Sequence, residues 1–360
     1  MTPLFERLIQ IKSLFQLPRS AYLDDLTVAI SRQASILGAS LHPITRQALT
    51  KFFIEIESYY SSLVDGHVIA LKDVQQVLKK QYTLDPLQRL FQKEYHDYMA
   101  LQILLNSVLN DSRPDIKICQ VDFLNWLCQK AHPQLFEGAR LKQTDIFKED
   151  KMVSVWYHFD KAYDPDKLQG LSKIVGFAAS HYVLTKIHPF FHNHHEIVRL
   201  FSRAYAHKIN INRDNLWSLS RGLLNYHFNY AATLSKETFP NFSEFTHLCE
   251  GFLEMTLDQI DFSGKILDPK NLQKKISNYG DKMAKAGEFN PQIVYLLNAV
   301  FFQGEIKKED VFSITGLDLK AAEVMLSRCI EKGLLKVDEL GNTVRFNFSM
   351  DTIEYYFPNL

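Results

Sequence analysis

The chain has 360 residues, 46% hydrophobic and 12% aromatic, with 41 basic side chains against 41 acidic ones. That length and apolar content suffice for two or three domains with a substantial core and exclude a disordered chain. Formal neutrality removes any global electrostatic reason to seek nucleic acid or an anionic membrane.

The opening stretch MTPLFERLIQIKSLF carries Glu6, Arg7 and Lys12, which break any signal-peptide apolar run. No uninterrupted apolar run reaches the ~18 residues of a transmembrane helix, so no membrane association is expected. The expected location is cytoplasmic, with secretion by a machine that reads other signals left open. Cys119, Cys128, Cys249 and Cys329 lack CxxC spacing and are expected as small buried hydrophobes in a reducing compartment.

Helical periodicity dominates residues 24–110. DDLTVAISRQASILGASL puts Leu26, Ile30 and Leu37 on one face behind an acidic helix start. Thr45 to Leu63 repeats the pattern with Phe52, Phe53, Ile56 and Tyr60, and stops at Val-Asp-Gly-His, where Gly66 terminates a helix. Asp85-Pro86 opens another helix. The polar break NDSRPD at 110–115 is a boundary signal, and Val121 to Lys130 reads as helix. MVSVWYHF at 152–159, rich in β-branched and aromatic residues, predicts a strand. Pro165 to Lys186 predicts a long helix. Glu196 to Ile209 predicts one with Ile197, Leu200, Phe201, Ala204 and Tyr205 inward, and helices continue over 215–234 and 243–260.

A charged stretch near 270–290 marks a change of character. Asn290 to Phe302 then reads as helix, and 307–335 as helix, tight turn at Thr315-Gly316, helix. Two short strands follow around Gly341-Asn342. That order predicts a winged helix. Residues 290–360 carry seven basic and ten acidic side chains, a net charge of −3, so the unit is expected to bind protein rather than DNA. The division expected is 1–112 as an N-terminal helical region, 113–268 as a core, and 269–360 as linker and winged helix.

Between the helices ending near 186 and starting near 196 lies I-H-P-F-F-H-N-H-H-E-I-V-R, with His188, His192, His194 and His195 in one turn. Three readings fit these residues. Pro189 fixes the backbone after His188, and the free N–H groups of the next helix make an anion site suited to phosphate. His188 would then serve as general base, with Arg199 reaching back to the phosphate. Alternatively His192, His194 and His195 hold a transition metal such as Zn2+. In the third reading the imidazoles pack or are merely solvated.

The turn resembles the signature of the Fic family, H-P-F-x-[DE]-G-N-[GK]-R-x-x-R. His188-Pro189-Phe190 and Arg199 match it, and the middle does not. Similarity to one Fic subfamily extends to LTVAISRQASILGASLHP, YYSSLVDGH, LWSLSRGL, FLEMTLDQIDF and the C-terminal EYYFPNL. The resemblance implies a mostly α fold with a helical core, a small β-hairpin flap at MVSVWYHF, an N-terminal inhibitory helix and a C-terminal winged helix. It implies protein adenylylation, with His188 deprotonating a target hydroxyl that attacks the α-phosphate of ATP bound with Mg2+. The partner implied is a target protein, and a homodimer is compatible with the chain.

The motif's departures bear on that chemistry. His192 stands where the resemblance places the Mg2+-holding acid, although Mg2+ prefers oxygen ligands. Asn193 and His194 stand in the phosphate nest, His195 at a small position, and Glu196 in place of the first arginine. Mg-ATP transfer is therefore expected to be lost, weak or altered, the histidines being substitutions in a phosphate loop. A non-catalytic interaction module and a metal-dependent activity are the alternatives. The inhibitory pattern maps to Ser61, Asp65 and Gly66, with aspartate in place of glutamate, and implies an Asp65–Arg199 pair.

Overall fold

The structure, a computed structural model, describes residues 14–111, 116–131, 152–187, 194–226 and 240–360. Its helices in the first half are α1 (Ala21–Ile36), α2 (Pro43–Val64), α3 (Leu71–Leu78), α4 (Pro86–Asn110), α5 (Val121–Ala131), α6 (Met152–Tyr163) and α7 (Ser172–Ile187). There follow α8 (His194–Lys208), α9 (Leu219–Asn225), α10 (Phe242–Ile266), α11 (Pro269–Lys285) and α12 (Ile293–Gln303). The C-terminal elements are β1 (Glu305–Lys307), α13 (Val311–Thr315), α14 (Leu319–Glu331), β2 (Leu335–Val337), β3 (Thr343–Phe346) and α15 (Ile353–Tyr356). The mostly α architecture expected from the sequence is what is found.

Local chemistry sets many of the helix starts. Ser20, Asp85, Asn241, Asp268 and Asp318 each accept a backbone N–H as N-cap, and Asn241 forms a reciprocal capping box with Glu244. Pro43, Pro86 and Pro269 occupy first-turn positions, where the missing N–H has no helical partner to lose.

Two interior clusters organise the packing. One gathers α1, the second half of α4, α5, α6, α7, α8 and α10, with Phe159, Phe177, Phe201, Tyr205 and Phe245 fully enclosed. The other gathers α2, α3, Tyr95 of α4, α11, α12 and the C-terminal elements. Helix α2 thus belongs to the same core as the end of the chain: Phe52 stacks on Phe357 at 5.2 Å between centroids, and Thr45 Oγ1 donates to the Phe301 carbonyl at 2.9 Å. On its other side α2 packs against α9 and α4.

The C-terminal unit follows the order helix, strand, helix, helix, strand, strand, with an antiparallel sheet in the order β1-β3-β2. Ile306 pairs with Val344, and Val337 pairs with Val344 from the other side. Gly316 caps α13 in the left-handed region at φ 68°, which makes the tight turn into α14. Among the described residues, no helix is long and apolar enough to cross a membrane.

Two local expectations are overturned. Residues 152–159 are helical, and among the described residues the only strands are β1, β2 and β3, so no hairpin flap stands at MVSVWYHF. Val155, Trp156, Phe159 and Tyr163 are buried while Tyr157 is exposed, a helical spacing that overrides the β-propensity of the individual residues. Residues 269–285, expected as linker, form α11. Leu272, Ile276, Tyr279 and Met283 recur at four- and three-residue steps and enter the second core, leaving the lysines on the outer face. Smaller shifts concern boundaries: the helix expected from Pro165 starts at Ser172, and α8 begins two residues before Glu196.

Candidate functional site

Helix α8 brings Arg199 and Arg203 onto one face, one turn apart, directed toward α2 and α4 rather than toward solvent. Both are buried, at 2% and 5% exposure. A guanidinium in that setting needs partners, because an unpaired buried charge is costly.

Arg199 finds them on α2. Its Nε donates to Ser61 Oγ at 2.9 Å, and its Nη2 pairs with the Asp65 carboxylate. Asp65 is the C-cap of α2, followed by Gly66 at φ 81°, so the end of the helix holds the carboxylate in place. Burial opposes the charge on Arg199, yet Asp65, with Tyr98 and Glu196, holds its pKa above the ordinary arginine value. Ser61, Asp65 and Arg199 therefore meet at one point.

Arg203 is satisfied differently. Its Nε donates to Asn215 Oδ1 at 2.8 Å, and its Nη1 donates to the Gln102 carbonyl at 2.9 Å and to the Gln102 side chain. Burial lowers its pKa to about 10, with Glu57 and Tyr98 opposing that shift. Arg203 Nη2 and Asn212 Oδ1 have no hydrogen-bond partner in the structure, and both residues line a small cavity with Glu57, Phe177 and Asn215. The space suits about one water.

Glu57, two turns before Asp65 on α2, accepts from Ser218 Oγ at 2.6 Å, Ser220 Oγ at 2.5 Å and the Ser220 N–H at 3.2 Å. It is 6% exposed. Its partners stand at the start of α9, whose N-terminus favours a carboxylate. Sequence reasoning missed Glu57 and Arg203. A signal existed, since each falls on the apolar stripe of its helix, where a charged residue requires a partner.

Behind Arg199, His181 of α7 is 1% exposed and its Nδ1 lies 2.7 Å from Ser202 Oγ. Ser202 Oγ also bonds the Val198 carbonyl, at 2.8 Å. Burial, then the charges of Arg199 and His195, press its pKa down to about 3. The unfolded chain protonates this histidine near 6.5 and the folded one does not, so its contribution to stability is present above that pH and is lost as pH falls toward 3. Between pH 6.5 and 5 the loss expected is about 2 kcal/mol. Urea unfolding at the two pH values should show it, and a His181→Gln variant should have a flatter profile.

His188, Asn193 and His192 lie outside the described residues, as does the side chain of His194. His194 and His195 open α8, and His195 is exposed. Of the three histidines proposed as metal ligands only His195 has a described side chain. Among the described residues no group of three or more His, Cys, Asp or Glu could hold a metal ion.

No protein-family model matches the sequence, and no curated protein does. Solved structures do match the fold. A Fic family protein from Desulfovibrio desulfuricans G20 is similar over 92% of this chain and 98% of its own, with a TM-score of 0.51 and 13% sequence identity. At that identity the likeness is one of fold, and it agrees with the fold implied by the His-Pro-Phe turn and its flanking helices.

Proposed function

We propose that the chain is a Fic-type protein derived from a protein adenylyltransferase, with Arg199 held by α2 and with AMP transfer from Mg-ATP lost, weak or altered. The observation that carries this reading is the buried Arg199 engaged by Ser61 and Asp65. In the family resembled, the second motif arginine binds nucleotide phosphate and an inhibitory carboxylate competes for it. Asp65 takes the competing position here. His188 keeps the role of base, and Asn193 and His194 remain the nest residues.

Two of the residues present disfavour Mg-ATP. His192 replaces the oxygen ligand that Mg2+ requires. Glu196, near enough to act on Arg199, places negative charge where a polyphosphate would lie. Zn2+ at His192, His194 and His195 remains a separate proposal, to be checked by metal titration of a His194→Ala variant.

A non-catalytic interaction role is the second reading, favoured by the C-terminal unit. We take this unit as a winged helix. Phe312, Leu319 and Val324 are exposed on its α13–α14 pair, in a segment of net charge −3 that suits protein better than nucleic acid. Its partner would be a target protein or a second copy.

Transfer of label from α-phosphate-labelled ATP to protein separates the two readings. Wild type is expected to give little or no signal, Asp65→Ala a stronger one, and Asp65→Ala with His188→Ala none. A signal that survives loss of His188 would overturn its role as base. No signal from any variant would favour the interaction reading.

A further inference from the structure

Glu55 lies on α2, two residues before Glu57, where strand β3 approaches that helix. Its Oε2 is fully covered and has no hydrogen-bond partner in the structure. The groups that act on it come from different elements, Lys336 on β2 and Asp351 in the turn after β3, and Glu55 in turn acts on Tyr95 of α4. Lys51 on α2 and Arg345 on β3 face Lys336 in turn, and Tyr59 of α2 faces Tyr95. Arg345 is already engaged, by Glu305 at 2.7 Å. No ion pair joins Glu55 to any of these groups.

Glu55 is half-buried as a residue, and a covered carboxyl oxygen without a partner favours the neutral form over the ionised one. We propose that Glu55 is a proton-linked joint between α2 and the C-terminal unit: protonated, it lets the sheet stay seated on the helix, and ionised, it loosens that contact. Burial raises its pKa to about 8, with Lys336 opposing and Asp351 adding to the rise. Lys336 is lowered by burial, by Lys51 and by Arg345, against the pull of Glu55, so both groups are pressed toward neutrality.

The unfolded chain ionises this carboxyl near 4.5 and the folded one near 8. Folded protein alone holds the proton between those values. The stabilisation is therefore fully present below 4.5 and is lost as pH rises through 8. Because α2 also carries Ser61 and Asp65, loosening extends to Arg199. That extension rests on the inhibitory-helix reading, and the joint does not.

The test is thermal unfolding from pH 6 to 9 with amide hydrogen exchange of 335–337 and 343–346, for wild type, Glu55→Gln and Lys336→Met. The wild-type Tm should fall by at least about 3 °C more than that of Glu55→Gln across the range. After correction for intrinsic rates, exchange in the two strands should rise severalfold in wild type and stay level in Glu55→Gln. Lys336→Met should move the midpoint to higher pH, since the lysine favours the ionised carboxyl. Parallel profiles for wild type and Glu55→Gln, or a midpoint moved downward by Lys336→Met, overturn the joint. Loosened strands with an unmoved Arg199 Nε–H resonance overturn only the extension to the clamp.

Discussion

Glu57→Ala is expected to cost about 4 kcal/mol of unfolding free energy. The carboxylate is enclosed between α2 and the start of α9, where it accepts from two serine hydroxyls and one backbone N–H. Alanine leaves all three donors buried, each losing the partner that repaid its desolvation. It also removes the anion that favours the charge on Arg203, whose Nη2 already has no partner. Glu57→Gln keeps a carbonyl acceptor and should cost about half as much, and Ser218→Ala about 1 kcal/mol. Urea unfolding midpoints at constant slope are the measurement. A cost below about 1 kcal/mol for Glu57→Ala would mean that the serines find other acceptors.

The second large effect is on binding. Asp65→Ala should tighten ATP affinity at least about tenfold, measured calorimetrically, because Arg199 then has no competing carboxylate. Asp65 has backbone angles φ −82° and ψ 0°, open to any residue, so alanine introduces no strain there. The released guanidinium keeps Ser61 and should destabilise the fold by only about 1–2 kcal/mol, as Asp65 is partly solvated. Adding Arg199→Met should abolish the gain. Heat absent from all three proteins would end the nucleotide reading and direct attention to metals and partner proteins.

Much of this architecture was legible in the chain because the helices are amphipathic and well punctuated. Ile197, Leu200, Phe201, Ala204 and Tyr205, expected inward from their spacing, are all enclosed. Gly316 and Gly341 stand at the turns expected of them, with φ of 68° and 79°. Legibility failed where residue preference and spacing disagreed. Trp156, Tyr157 and Phe159 favour strand singly, but the helix decides which of them is buried. In α11 the lysines masked four apolar positions at helical steps.

At the site, Ser61, Asp65 and Arg199 could be named from the family likeness, but their meeting depends on α2 and α8 packing across 134 residues of sequence. Glu57, Arg203 and His181 carry no motif. Their roles follow only from enclosure, which a sequence pattern suggests and a fold supplies.

The membership of α2 in the C-terminal core has a consequence for synthesis on the ribosome. Phe52, Phe53 and Ile56 are covered by residues that lie far downstream, with Thr45 bonded to Phe301 across 256 residues. At roughly 5–20 residues per second, that apolar face waits about 10–50 s for its cover. During that interval the nascent chain is expected to be a chaperone client, and α2 to be among the last elements to settle. The residues that restrain Arg199 would then be placed only once these C-terminal elements have been made.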